Sequence, residues 1–327
     1  MGVYIEYDKP FLTYDEQIAH LENKYNLKID DKGFARSILS TISYYDLING
    51  YQEYTLTNGK FKDGITLKYL SYFYLFDKSM QNLFLKNSLL VENIFKTKLA
   101  YALAKNYGVD VYDYLNKKHF KYSHRNNIYF KNVKDEIFRR IDKFKPMPTQ
   151  HYLNNHNHIP PWILLRNVEF GNAINLYRLL KEPVKYEVAE SLIKGTVSSK
   201  EKFDFTESAL NFIKFYRNKV AHNLKIKDNS YNPKLPYTTT IKIVNNKDIT
   251  SGYTSFNDLY SYILSINLLL DEKLLRAKFS YDFTSIILDR TKNNEQTPLQ
   301  KKLVFDYISI NKLPLDLIER LNLILNW

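Results

Sequence analysis

The chain contains no cysteine. That absence excludes disulfides, thiolate metal sites and cysteine nucleophiles. No apolar run approaches the ~20 residues of a membrane span. The opening MGVYIEYDKP has no basic segment leading into an apolar one, which argues against a secretory signal. A Walker phosphate loop, a dinucleotide fingerprint, an HExxH pair, internal repeats and low-complexity tracts are all missing. What these absences leave is a soluble globular chain, expected in the cytoplasm. It has 327 residues, 44% hydrophobic content and a mean hydropathy of −0.42, enough for two domains.

The formal net charge is +12 and the isoelectric point about 9.3, which favours a polyanionic partner. Part of the lysine excess has a blander source, because Lys, Asn, Ile, Tyr and Phe are jointly favoured by AT-rich coding. Arginine is scarce beside lysine, so each arginine in an apolar setting carries more information.

Helical spacing dominates from the start. Ile18, Leu21 and Tyr25 share one side of a first segment. Ile38, Leu39, Ile42 and Tyr45 share a face in the second, which Asn49-Gly50 ends, and Asn58-Gly59 marks a turn. Residues 66–106 read as two helices, or as one long helix with a break, ending at Gly108. Glu92 lies among apolar positions there. It can form a surface pair with Lys96 four residues on, or it can orient an arginine from elsewhere.

Residues 119–145 interleave cations with Phe and Tyr. Lys121, Arg125, Lys131, Arg139 and Arg140 are candidates for phosphate contacts, with the rings available to stack on bases. The competing reading is a basic solvated helix with a Phe/Ile core face. His151, His156 and His158 do not have the spacing of a metal site, and no metal or other cofactor is expected. Gly171 reads as a helix break, and Ser198-Ser199 as a loop.

The segment DFTESALNFIKFYRNKVAHN (204–223) reads as one amphipathic helix capped by Asp204 or Thr206, with Leu210, Ile213 and Val220 as its apolar stripe. Arg217 falls inside that stripe, where a cation must snorkel out or find an anion. His222 follows five residues later, about 140° round a regular helix, whereas Asn218 and His222 share a face. A joint site therefore needs a distorted helix end or a second copy of the motif. Past this helix, TTTIKIV (238–244) is rich in β-branched residues among turn signals and suggests a short strand or hairpin. Residues 253–278 then return to helical spacing. The divisions expected are 1–65, 66–227 and 228–327: a helical start, a central helical domain, and a C-terminal part with the hairpin and further helices.

The strings ISYYDLINGY, LFDKSM, VENIFKTKLAYALAKNYG, PPWILLRNVEFGNAINLY and FYRNKVAHN, in that order, resemble the Abi_2 family of abortive-infection proteins, the AbiD/AbiF type, from about Phe34 to Asn223. The R-x4-H spacing of Arg217 and His222 resembles the signature of the HEPN superfamily of ribonucleases. The resemblance implies a mainly α fold built on a HEPN-type helical bundle. It also implies phage defence or a toxin-like role, RNA as target, association with a small structured RNA, and an active cleft made from two copies of the motif, hence a homodimer. Carried onto this chain, the R-x4-H pair falls on Arg217 and His222; with Asn218, which can hold the histidine or a phosphate oxygen, they are the expected catalytic residues, and Lys219 is expected on RNA and Glu92 in support. A non-catalytic RNA-binding module is the alternative. Asn223 departs from the family's common ending after the histidine.

Overall fold

Helix signals dominate the sequence, and helices dominate the computed structural model, which describes residues 9–124, 128–225, 234–288 and 297–325. The helices of eight or more residues among them are α1 (Tyr14–Tyr25), α2 (Lys32–Thr41), α3 (Leu67–Tyr107), α4 (Phe130–Phe144), α5 (Phe170–Leu179) and α6 (Val184–Leu192). They continue with α7 (Ser199–Ala221), α8 (Tyr237–Val244), α9 (Leu259–Leu269), α10 (Lys273–Ile287), α11 (Pro298–Ile310) and α12 (Leu317–Ile324). The segment expected as two helices or a broken one is a single unbroken helix of 41 residues, Leu67–Tyr107, terminated by Gly108 at φ 90°, a conformation that favours glycine.

The chain forms two compact units. One comprises the chain up to Met80 together with Ile286–Ile310, and the other comprises Gln81–Ser285 together with the stretch from Asn311. In the first unit, Thr13 and Glu16 close a capping box at the start of α1. The only hairpin among the described residues lies here: β1 (Leu56–Thr57) pairs antiparallel with β2 (Lys60–Phe61). Asn58 and Gly59 between them both take positive φ, as a two-residue type I′ turn requires. Tyr51 donates to Asp77 at 2.9 Å inside this unit's core.

The hairpin expected at TTTIKIV is not formed: those residues lie in α8. Thr240, Ile243 and Val244 are buried at helical spacing. The Thr240 hydroxyl bonds back to the Pro236 carbonyl at 2.8 Å, and Asn245 ends the helix in the left-handed region. Packing on α7 overrides β-propensity, which depends strongly on context.

In the second unit α7 is central, packing on α5, α6, α8 and α9. All eleven residues of α9 are buried, so it forms the apolar centre. Its polar side chains are satisfied locally: Ser265 bonds the Ser261 carbonyl at 2.7 Å and Asn267 that of Ile263 at 2.9 Å. The expected helix over 253–278 is split between α9 and α10, with Arg276 donating to the Leu270 carbonyl at 2.8 Å across the break.

Candidate functional site

The site begins with how α7 starts and stops. It starts earlier than expected: Ser198 is the N-cap, and Ser198 and Glu201 form a reciprocal capping box. Asp204 and Thr206 are internal to the helix, and Thr206 is fully buried. The Ser-x-x-Glu spacing was a legible signal. Hydrogen bonds from Lys242 and then Ser198 hold the Glu201 carboxyl down at about 2.

The far end closes as a Schellman motif. The Leu224 amide donates to the Lys219 carbonyl and the Asn223 amide to that of Val220, each at 2.9 Å. His222 is the C-cap, and Asn223 sits at φ 59°. An asparagine tolerates that left-handed position. The helix remains regular through Ala221, and the His222 amide still donates to the Asn218 carbonyl at 3.0 Å. No kink folds the histidine back toward Arg217.

Arg217 has the anion its position demands. Its Nη2 lies 3.0 Å from Glu92 Oε2, while Lys96 Nζ lies 2.7 Å from the other oxygen, Oε1. Glu92 thus contacts both Lys96 and Arg217. Side-chain exposure of 12% for Glu92, 13% for Lys96 and 28% for Arg217 takes this triad out of the class of weak surface pairs. The second guanidinium nitrogen, Nη1, donates to Asn218 Oδ1 at 2.9 Å. One turn before Glu92, Ser88 meets the Tyr262 hydroxyl at 2.5 Å, and Tyr262 stacks on Tyr216 at 4.6 Å. These contacts fix the face that α3 turns to α7 and α9. Leu210, Ile213 and Val220 are buried within the chain, whereas Asn218, His222 and Leu224 are exposed.

The other sequence candidates are placed differently. Arg125 lies outside the described residues. In α4 the core face is Phe130, Val133, Ile137 and Ile141. Three of its cations are matched to carboxylates: Lys131 to Asp135 at 2.6 Å, Arg139 to Glu136 through two bonds of 2.9 and 2.6 Å, and Arg140 to Glu169. Arg139 holds the Glu136 carboxyl below the usual range. Lys121 Nζ lies 3.9 Å from Glu182, and the Lys219 ammonium sits 4.7 Å over the Phe215 ring. His151 and His158 contact Asn155 and Asn157. Among the described residues no group of three or more His, Asp or Glu is placed to hold a metal ion. Among the same residues, no helix is long and apolar enough to cross a membrane.

Sequence reasoning passed over Lys214. It lies three residues before Arg217 and four before Asn218, so it shares their side of α7. Gly171 does not break the chain between helices; the break falls at Val168-Glu169, and Gly171 belongs to the first turn of α5. A Cβ there would stand 3.6 Å from Lys214 Cδ. Further along the same face, Arg178 Nε lies 2.8 Å from Glu207 Oε1, off the hydrogen-bond direction, so that contact is mainly electrostatic.

A family model described as Abi-like protein matches residues 37–227, more than half of the chain and including α7 with its cap. No curated protein and no solved structure matches the chain.

Proposed function

Because the chain belongs to the Abi-like family, whose role is abortive-infection defence against phage, we propose that it is a metal-independent endoribonuclease of the HEPN type. Its site is Arg217, Asn218 and His222, with Glu92 as the residue that positions Arg217. The observation that carries this reading is the Glu92–Arg217–Asn218 chain of contacts. It holds a guanidinium within about one turn of the helix end, and the exposed imidazole of the C-cap His222 makes no side-chain bond among the described residues.

The chemistry needs only those groups and RNA. A base takes the proton of a 2′-hydroxyl, whose oxygen forms a bond to the adjacent phosphorus. The P–O5′ bond breaks, an acid protonates the leaving oxygen, and a 2′,3′-cyclic phosphate remains. Imidazole titrates near working pH and suits either proton transfer. Arg217 offers paired donors to phosphate oxygens as charge develops on them. Asn218 anchors the arginine. Because α7 is regular to its cap, Arg217 and His222 of one chain diverge by about 140°. A homodimer that brings two α7 ends together supplies the missing group. A structured small RNA is the proposed regulator, and the cytoplasm the proposed setting.

The test is cleavage of RNA by purified protein in EDTA. Activity should persist and leave cyclic phosphate ends. Arg217→Ala and His222→Ala should each remove most of it, with the double variant scarcely worse, as expected of groups acting as one unit. Full cleavage by folded His222→Ala would instead favour the non-catalytic RNA-binding module.

A further inference from the structure

Lys214 is a charged group without a stated purpose. It lies about one turn before the Arg217–Asn218 pair, and Lys214, Asn218 and His222 succeed one another at steps of four. Its side chain is half-buried, with the stem against Gly171. Among the described residues its ammonium makes no hydrogen bond or ion pair. Glu207 is committed to Arg178, and Glu92 to Lys96 and Arg217.

A cation held half out of water with no counter-charge is unfavourable. Burial lowers the Lys214 pKa, and the charge of Arg178 lowers it further. A lysine serving only as solvated surface would turn its ammonium outward, as its flexible stem allows. A lysine serving only to pack against Gly171 has no need of a charge. An incoming anion satisfies both the charge and the position.

We propose that Lys214 is a substrate-contacting residue that takes the RNA phosphate next to the scissile one, so that the strand runs along α7 from its cap toward its middle. This rests on the ribonuclease reading for the identity of the anion, and it assigns that site a direction and a second phosphate subsite. Three residues on a helix advance about 4.5 Å along its axis, which offsets the two cations along the direction of the strand.

The probe is a single-stranded, fully 2′-O-methylated RNA oligonucleotide, which binds but offers no nucleophile. Its affinity is followed by fluorescence anisotropy over a salt series for wild type, Lys214→Met and Lys214→Arg. Methionine keeps an unbranched stem on Gly171 and removes the charge. For Lys214→Met the slope of log affinity against log salt should become shallower by about 0.7, the loss of one single-strand phosphate contact. Affinity at low salt should fall on the order of tenfold, as for one hydrogen bond to a charged group. Lys214→Arg should restore most of both, and the melting temperature of Lys214→Met should equal or exceed that of wild type. An unchanged slope, or a melting temperature below wild type, overturns the proposal. The parent reading is scored separately with unmodified RNA. If wild type cleaves and Lys214→Met binds normally, only the subsite fails. If wild type binds with the Lys214-dependent slope but never cleaves, only the nuclease reading fails. No binding by wild type removes both.

Discussion

At the scale of the residue, one carboxylate decides the character of the site. Glu92 has two oxygens, and each meets a different cation. Removing it leaves two partly buried positive charges facing one another. Glu92→Ala should therefore destabilise the fold by about 1–3 kcal/mol, measurable by urea unfolding. Glu92→Gln preserves the shape, and by loosening Arg217 it should lower RNA cleavage on the order of tenfold while costing less stability. Equal cleavage by wild type and Glu92→Gln would show that Arg217 needs no positioning from α3. Much of this was legible in the sequence. An arginine between Ile213 and Val220 requires an anion, and Glu92 was one of few acids in an apolar setting. Lys96 and Arg217 looked like alternatives because a helical i,i+4 pair and a cross-helix pair usually compete, yet a carboxylate accepts from both sides.

At the scale of the element, the two ends of α7 and the charge on α4 matter most. Glu201 is held low in the folded state, at about 2 against an ordinary 4.5. Its stabilising effect is thus complete above pH 4.5 and is lost as pH falls through about 2. Glu201→Gln should lower the melting temperature at pH 7, and the difference from wild type should shrink across that acid window. A constant difference would place the effect in packing instead. On α4, a phosphate must compete with Glu136 for Arg139 and with Glu169 for Arg140. Arg139→Gln with Arg140→Gln should consequently flatten the salt dependence of RNA binding by less than the roughly 1.4 expected of two free single-strand contacts. A full change of that size would mean the carboxylates swing aside. The sequence conveyed the helical character of α4 and α7 through their spacing. It did not convey the helix at α8, because the β-branched residues of TTTIKIV were judged by propensity, and only burial of Thr240, Ile243 and Val244 decides for helix.

At the scale of the whole molecule, the proposed dimer cannot be built on the apolar stripe of α7. The apolar stripe of α7 is already buried inside each chain. What remains exposed at the helix end is Asn218, His222 and Leu224, so a two-fold contact would be built around the cap itself. Mixing Arg217→Ala protein with His222→Ala protein should restore a fraction of the activity that neither shows alone. A wild-type chain that stays monomeric in light scattering, with and without RNA, yet cleaves fully would rule this out. The mainly helical character and the R-x4-H string could be read from sequence, whereas the unbroken course of α3 could not. The commitment of the stripe to the chain's own core could not, because amphipathic spacing says that a face is covered without saying by what.

The Schellman end of α7 also has a genetic consequence. In a selection for cells that survive the proposed ribonuclease activity, inactivating changes should appear at the codons for Arg217 and His222, the side chains proposed to act. They should also appear at the codon for Asn223, for a different reason. With φ at 59°, that position accepts glycine readily and β-branched residues hardly at all. Survivors should therefore carry Asn223→Ile or Asn223→Thr but not Asn223→Gly. A codon that tolerates loss of its entire side chain, yet not a modest enlargement, would mark a constraint of backbone shape lying beside one of chemistry.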